Sequence, residues 1–155
     1  MAELKYAGNI ITEDFMPRIS PTPPEITAML EEQEKNGNII DRTMMFAIQD
    51  RIVKGSFFAG CEWVWGVTGE GVQTEKAHHH DCDEIIGFVG SKKENPRELN
   101  GEIELWIEDE KYLLTKSCLI FIPAGTEHCP LIFRRVDSPI FMFESANDTF
   151  YDKLK

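Results

Sequence analysis

Between about residue 42 and residue 144, the sequence alternates apolar and polar side chains in short runs separated by turn residues. Apolar side chains occupy every second position of segments 57–65 and 103–107. A period of two indicates an extended strand with one buried face, because successive side chains point to opposite faces. Runs of this length recur about every 8 to 20 residues, which predicts an all-β sandwich or barrel of antiparallel strands.

The later segments complete this pattern. Segments 103–107 and 111–115 flank an acidic turn at 108–110, as in a hairpin. The run CLIFI at 118–122 is apolar at every position and predicts a strand buried on both faces. Segments 131–136 and 140–144 flank a turn sequence, Asp-Ser-Pro, and are predicted to form a second hairpin.

The N-terminal quarter has a different character. Residues 1–23 contain Pro17, Pro21 and Pro23 and few periodic apolar positions, which predicts an extended arm. Pro24 then begins the segment PEITAMLEEQEKNG, a short helix that ends at an Asn-Gly stop. We expect one domain in the 155 residues, with the arm and helix (1–41) packed on a β-barrel (42–155).

Charge and cysteine usage limit the partners and the compartment. Lys and Arg total 16 against 27 Asp and Glu, a net charge of −11, which argues against nucleic acid and anionic membranes as partners. No apolar run reaches about 18 residues, and the N-terminus lacks the apolar region of a signal peptide. Four scattered cysteines in such a chain predict reduced thiols and a cytoplasmic location.

All four histidines fall in two short segments. In an extended backbone, the side chains of His78 and His80 point to the same face, while His79 points to the opposite one. Glu84 has the parity of His78 and His80, and His128 follows a Pro-Ala-Gly turn that redirects the chain. Neutral imidazoles with one carboxylate are ligands for first-row divalent metals, so we predict a metal site. The acidic residues that flank these positions are interpreted as solvated turn residues, namely Asp81, Asp83 and Glu127.

These two segments resemble the two motifs of the cupin superfamily. The first motif, His-x-His-x3-Glu-x5-Gly, is matched by His78, His80, Glu84 and Gly90, and the second, Pro-x-Gly-x2-His, by Pro123, Gly125 and His128. The sequence departs from the motifs at Ser117, where Gly is usual, at Gly71, one position further out than usual, and in lacking the usual Asn after His128. The resemblance implies a small single-domain cupin: an antiparallel double-stranded β-helix of jelly-roll type with the metal near one mouth.

The resemblance also implies a class of function. Three imidazoles and one carboxylate fill four positions of an octahedral ion and leave two for water, substrate or dioxygen. We therefore favour a mononuclear metal-dependent dioxygenase acting on a small organic molecule. A Lewis-acid isomerase, epimerase or lyase and a non-catalytic small-molecule-binding module are the alternatives. The ligand set does not distinguish Fe, Mn, Ni, Co or Zn, and the sequence assigns neither a substrate nor a further catalytic residue.

Strand parity suggests candidates for the lining of a substrate pocket. The side chains predicted to line the barrel interior are Phe57, Trp63, Trp65, Ile86, Phe88 and Met142.

We predict a homodimer, because small barrels of this type bury a sheet face against a second copy and the arm 1–23 can extend a neighbour's sheet. The roles of Cys82 and Cys129 stay open, although the parity of Cys82 is wrong for a ligand.

Overall fold

The computed structural model describes residues 4–149, so the ends of the predicted arm (1–3) and barrel (150–155) lie outside the described residues. Within this range the helices are a 3-10 turn (Ala7–Asn9), α1 (Met16–Ile19) and α2 (Pro24–Lys35). The strands are β1 (Ile40–Ile48), β2 (Phe58–Val67), β3 (Val72–Glu75), β4 (Glu84–Gly90), β5 (Glu98–Ile107), β6 (Glu110–Lys116), β7 (Cys118–Ile122), β8 (His128–Val136) and β9 (Ile140–Ala146).

The strands form two antiparallel sheets. One sheet has the order β1-β2-β9-β4-β7, and the other has the order β3-β8-β5-β6. Most strands that follow each other in sequence, such as β3 and β4 or β7 and β8, lie in different sheets, so the chain crosses repeatedly between the two layers. This is the jelly-roll topology of a double-stranded β-helix, and it confirms the predicted fold class. None of the described helices is long and apolar enough to span a bilayer.

The core lies between the two sheets. Alternate side chains of each strand point inward, and the central ones are fully buried, including Phe88 from the five-stranded sheet and Phe133 from the four-stranded sheet. The rings of these two residues meet edge to face with centroids 6.1 Å apart. Contacts of this type join the two layers.

The predicted hairpin between segments 131–136 and 140–144 is wrong. β8 pairs with β3 and β5, whereas β9 pairs with β2 and β4 in the other sheet. The turn between them therefore carries the chain across the barrel and does not reverse it within one sheet. A turn sequence between two apolar strands indicates a change of direction, but the choice of partner strand depends on packing across the core.

The prediction that segment 118–122 is buried on both faces is also wrong. β7 is an edge strand, and Leu119 and Phe121 are 68% and 61% exposed, whereas Ile122 is 2% exposed. Only the inward side of this strand belongs to the core. A continuous apolar run does not reveal that one of its two faces is left uncovered by the neighbouring layer.

The helix predicted from Pro24 is present as α2, and it covers an edge of the barrel. Ile26 is its buried residue. The amide of Gln33 pairs with the backbone of Gln73 in β3, donating to its carbonyl at 2.9 Å and accepting from its N–H at 2.8 Å. These bonds satisfy backbone groups that an edge strand would otherwise leave open.

The N-terminal arm is not extended throughout. It contains the short turn at Ala7–Asn9 and helix α1. Met16 of α1 packs against a small buried cluster of Ala47, Phe58 and Ala146. Because this contact is with its own barrel, the arm is anchored within the chain. The domain division at 41/42 stays a prediction, and β1 begins at Ile40, close to it.

Candidate metal centre

The two histidine segments meet because their backbones are bonded to each other. His78 and His128 form an isolated antiparallel bridge, in which each N–H donates to the other residue's carbonyl at 3.0 and 2.9 Å. His80 follows two residues later, and its carbonyl accepts a hydrogen bond from Gly125 N–H at 2.7 Å. Backbone hydrogen bonds at Gly125 and at His128 therefore hold the second segment against the first.

Four side chains converge where these segments meet. Glu84 Oε2 lies 2.9 Å from His128 Nε2 and 3.5 Å from His80 Nε2. The ring of His78 completes the group, with its centroid 4.8 Å from that of His80 and 4.5 Å from that of His128. The four side chains are buried, and their exposed fractions run from 1% for Glu84 and His128 to 8% for His78.

Backbone carbonyls orient two of the imidazoles. His78 Nδ1 lies 2.7 Å from the Lys76 carbonyl oxygen, and His128 Nδ1 lies 3.0 Å from the Thr126 carbonyl oxygen. Since a carbonyl only accepts hydrogen bonds, each Nδ1 carries the proton and donates it. The neutral ring then has its lone pair on Nε2, which is the tautomer needed for metal binding through that atom.

The donor set fits a first-row divalent ion. Nitrogen and oxygen ligands lie about 2.0–2.2 Å from such an ion, so two adjacent ligands of an octahedral site are roughly 3 Å apart. The Glu84 Oε2 distances of 2.9 and 3.5 Å to two imidazole nitrogens match that spacing. Donor atoms of His80, Glu84 and His128 all lie within 4.8 Å of one another. Three neutral imidazoles and one carboxylate also have the chemistry that these ions prefer.

Asp83 stabilises the arrangement from outside, a role that its interpretation as a solvated turn residue missed. Its carboxylate accepts hydrogen bonds from Ala124 N–H at 2.9 Å and from the Asn147 side-chain amide at 3.1 Å. Its backbone N–H donates to Asn147 Oδ1 at 3.0 Å, and its carbonyl accepts from Asn147 N–H at 3.1 Å. Asp83 thus joins both motif segments to the end of β9. Its place next to a ligand was visible in the sequence, but its partners were not.

We expect Asp83→Ala to weaken metal binding by about 10- to 100-fold, because residues that hold ligands in place typically contribute this much. Titration of the metal-free protein with Zn²⁺ or Mn²⁺ measures the change. Asp81→Ala is the matched control, since Asp81 is exposed and lies two positions away in the same segment. Equal affinities of the two variants would contradict the positioning role.

Two motif glycines occupy positions where the backbone requires glycine. Gly125 has a φ of +80°, a left-handed conformation in which a side chain is strained. At Gly90, a Cβ atom would lie 2.1 Å from the carbonyl oxygen of Glu98, so only glycine fits where β4 passes the start of β5. Gly125 therefore serves the turn beside the site, whereas Gly90, at the opposite end of β4 from Glu84, serves the packing of β4 on β5.

The predicted pocket residues of β4 and β9 face the barrel interior. Ile86, Phe88 and Met142 are 3%, 0% and 8% exposed and belong to the main core cluster. A separate small cleft beside β2 and β9 is lined in part by Met142 and Glu62 but by none of the four converging side chains. Whether these interior residues contact a substrate stays a proposal.

The assignment of Phe57, Trp63 and Trp65 to the barrel interior is wrong. Phe57 is 60% exposed and precedes β2, and Trp65 is 42% exposed. The inward positions of β2 are the even ones, so Trp63 lies on the outward face. The error arose because the inward positions include a carboxylate, Glu62, which is 6% exposed and paired with Arg42 at 3.5 Å. Burial raises the pKa of Glu62, and the Arg42 charge opposes that rise.

Two cysteines lie near the site. Burial, followed by the neighbouring carboxylates of Asp148 and Glu84, raises the pKa of the Cys82 thiol, which disfavours the thiolate form that binds metals. Cys129 is buried, and its sulfur lies within 4.8 Å of ring nitrogens of both His78 and His128. Cys129 is thus a further sulfur donor close to two of the imidazoles. Alternation alone did not reveal it, because its backbone has a positive φ of 69°.

The chain aligns with several solved structures. KdgF from Halomonas sp. aligns at 20% identity over 73% of this chain and 81% of that chain, with a TM-score of 0.43. DMSP lyase DddQ from Ruegeria pomeroyi aligns at 17% identity, 74% and 50% coverage and a TM-score of 0.41. Oxalate oxidase in complex with glycolate aligns at 14% identity, 77% and 55% coverage and a TM-score of 0.48. At these values, the similarities assign no activity to this chain.

No protein-family model and no curated protein matches the sequence. The comparison with a protein family therefore depends on the chain's own topology and motifs. Its strands cross between two antiparallel sheets as in a double-stranded β-helix, and the residues of both histidine motifs converge inside the barrel. In this topology and in these two motifs, the chain resembles the cupin superfamily.

Proposed function

We propose that this protein is an enzyme that binds one divalent first-row metal ion through His78, His80, Glu84 and His128 and acts on a small organic molecule. The observation that supports the proposal is the convergence of three buried imidazoles on a buried carboxylate, with Glu84 Oε2 2.9 Å from His128 Nε2. A purely structural set of buried polar residues would not need three imidazoles beside one carboxylate, two of them oriented by backbone acceptors.

The residues of the site have separable roles. The carbonyls of Lys76 and Thr126 hold the protons of His78 and His128 on Nδ1 and so present Nε2 to the centre. Glu84 supplies the negative charge that balances a cation in a buried setting. When bound, a first-row ion supplies Lewis-acid polarisation of a carbonyl or hydroxyl or, in the case of iron, redox chemistry with dioxygen. The four side chains are at most 8% exposed, and such burial strengthens the charge interactions among them.

Dioxygenase chemistry is the reaction class that we favour. The protein provides four ligands, fewer than the six of an octahedral ion, which leaves room for both a bidentate organic substrate and dioxygen. A Lewis-acid reaction would use the same residues without oxygen. An experiment that supplies or withholds oxygen therefore distinguishes the two reaction classes.

We expect the iron-loaded protein to consume oxygen when supplied with one of three bidentate probes: acetylacetone, catechol or lactate. Glu84→Ala should abolish the consumption because it removes the carboxylate ligand, while His79→Ala, whose ring lies outside the converging group, should retain it. An oxygen electrode measures the rate with Fe, Mn and Zn forms. Full turnover of a probe by the Zn form without oxygen would favour the Lewis-acid alternative, and tight binding without conversion would favour a binding module.

A cytoplasmic location is part of the proposal. None of the four cysteines, all of which lie within the described residues, forms a disulfide. Reduced thiols are typical of a reducing compartment. Burial raises the pKa of Cys118 and Cys61 as well, which keeps these thiols protonated and unreactive.

A further inference from the structure

A sulfur donor lies beside the converging imidazoles, inside the barrel. Cys129 is 5% exposed and belongs to the main core cluster. Its sulfur and ring nitrogens of His78 and His128 all lie within 4.8 Å of one another. Two donor groups therefore share His128. The oxygen-containing group consists of His80, Glu84 and His128, and the sulfur-containing group consists of His78, His128 and Cys129.

The backbone of β8 brings Cys129 to the same side as His128. In a regular strand, successive side chains point to opposite faces, yet His128 and Cys129 are 1% and 5% exposed. Along β8, the three residue steps from His128 to Leu131 pair with only two steps of β5, so the strand is irregular here. Cys129 lies in this irregularity and has a φ of +69°, which residues with a side chain seldom adopt. An irregularity of this kind re-aims a side chain, and here it directs the thiol into the barrel.

A sulfur ligand changes which ions a metal centre prefers. Thiolates are soft ligands that favour thiophilic ions such as Zn²⁺, whereas carboxylates suit harder ions such as Mn²⁺. In a tetrahedral zinc site, with Zn–S about 2.3 Å and Zn–N about 2.1 Å, neighbouring donor atoms are roughly 3.6 Å apart. The donors of the sulfur-containing group lie within 4.8 Å of one another, so side-chain shifts of about 1 Å close the group around such an ion.

The other cysteines are placed differently. All four cysteines lie within the described residues, and among them Cys129 is the one that belongs to a donor group. Cys118 is opposite Phe88, near the end of β4 that is away from Glu84. Cys82 lies in the loop before Glu84 and is half-buried, but it belongs to neither donor group. Cys82 is therefore a matched control for a cysteine that is close to the ligands in sequence without sharing their centre.

We propose that Cys129 is an alternative ligand of the metal centre, which holds thiophilic divalent ions through the Cys129 sulfur together with His78 and His128. This inference rests on the proposed function, because both ligand sets include the same two imidazoles. Binding replaces the S–H bond with a sulfur–metal bond and releases the proton to solvent, with no change in oxidation state. A harder ion such as Mn²⁺ uses the Glu84 carboxylate and leaves the thiol unbound. Cys129 thus raises the preference of the centre for thiophilic metals.

Titration of the metal-free full chain with Cd²⁺ tests the proposal, because a thiolate bound to Cd²⁺ produces an ultraviolet charge-transfer absorption. We expect this absorption in the wild-type protein and in Cys82→Ser, but not in Cys129→Ser. Loss of the sulfur ligand should also weaken Cd²⁺ binding by roughly 100-fold, the contribution of a single ligand to sites of this kind. The affinity for Mn²⁺, measured from the electron paramagnetic resonance signal of the free ion, should be the same in all three proteins.

Other outcomes would overturn the proposal. Cd²⁺ binding without the absorption, or an absorption that persists in Cys129→Ser, would show that the Cys129 sulfur is not a ligand, while normal Mn²⁺ binding would leave the proposed function intact. Failure of the wild-type protein to bind either ion would contradict the proposed function and this inference with it. If Cys129→Ser does not fold, cadmium X-ray absorption of the Cys82→Ser protein decides the matter. A sulfur neighbour of the ion is expected, and neighbours of nitrogen and oxygen alone would contradict the proposal.

Discussion

Replacing His80 and His128 together by alanine is expected to reduce bound metal from about one ion per chain to nearly none. Apparent binding free energies of structural zinc sites are about 10–16 kcal/mol, so losing two of four ligands should weaken binding by roughly 10⁴-fold. Both side chains are buried, at 2% and 1% exposed, and both nitrogens lie within 3.5 Å of Glu84 Oε2. Elemental analysis of the purified variant measures the loss.

His79→Ala is the matched control for this prediction. His79 lies between two converging imidazoles but is not part of the converging group, so its removal should leave metal content nearly unchanged. Undiminished metal in the double variant would refute the assignment of His80 and His128. A His79→Ala variant without metal, combined with a His78→Ala variant that retains it, would show that the ligand register is displaced by one residue.

Phe88→Ala is expected to destabilise the protein by about 3–5 kcal/mol, the usual cost of removing a buried phenylalanine side chain. Phe88 is fully buried, and its ring meets Phe133 of the opposite sheet. The substitution therefore removes a contact that joins the two layers and leaves a cavity at the centre of the barrel. The midpoint of urea denaturation, with an unchanged slope, measures the loss in free energy of unfolding.

Phe57→Ala is the control for Phe88→Ala, because it truncates the same residue type at an exposed position. Phe57 is 60% exposed, so its truncation should change the free energy of unfolding by no more than about 0.5 kcal/mol. A loss of several kcal/mol at Phe57, or none at Phe88, would contradict the inward and outward faces described above. If Phe88→Ala does not fold, Phe88→Leu should show a smaller loss of about 1 kcal/mol.

The candidate ligands could be predicted from the sequence because their spacing and donor chemistry are local features. His78, His80 and Glu84 share a parity, and His128 follows a turn whose glycine has the expected positive φ. The parity argument assumed a regular strand, however, and the chain bends at Asp81 and Cys82 before β4 begins. Glu84 reaches the imidazoles because β4 pairs with β7 and β9, and because Asp83 holds the bend to Ala124 and Asn147.

The face of β2 shows where alternation is insufficient. Both parities of this strand contain large apolar side chains, with Phe58 and Val64 inward and Trp63 and Trp65 outward. An apolar pattern predicted the wrong face because the inward side includes Glu62 and the outward side forms an apolar surface of its own. Hydrophobicity identifies the buried face of a strand only when its other face is polar, and here the outward face is apolar as well.

The sequence by itself determined the features that depend on near neighbours: the strand-sized segments, the helix at Pro24, the turn at Gly125 and the residues able to bind a metal. These follow from side-chain period, backbone restrictions and donor chemistry, which act over a few residues. Only the tertiary structure decided which strands pair, so that β8 and β9 lie in different sheets, and which face of β2 and β7 points inward. Those choices depend on how two distant sheets share one core, and such long-range packing leaves no local signal along the chain.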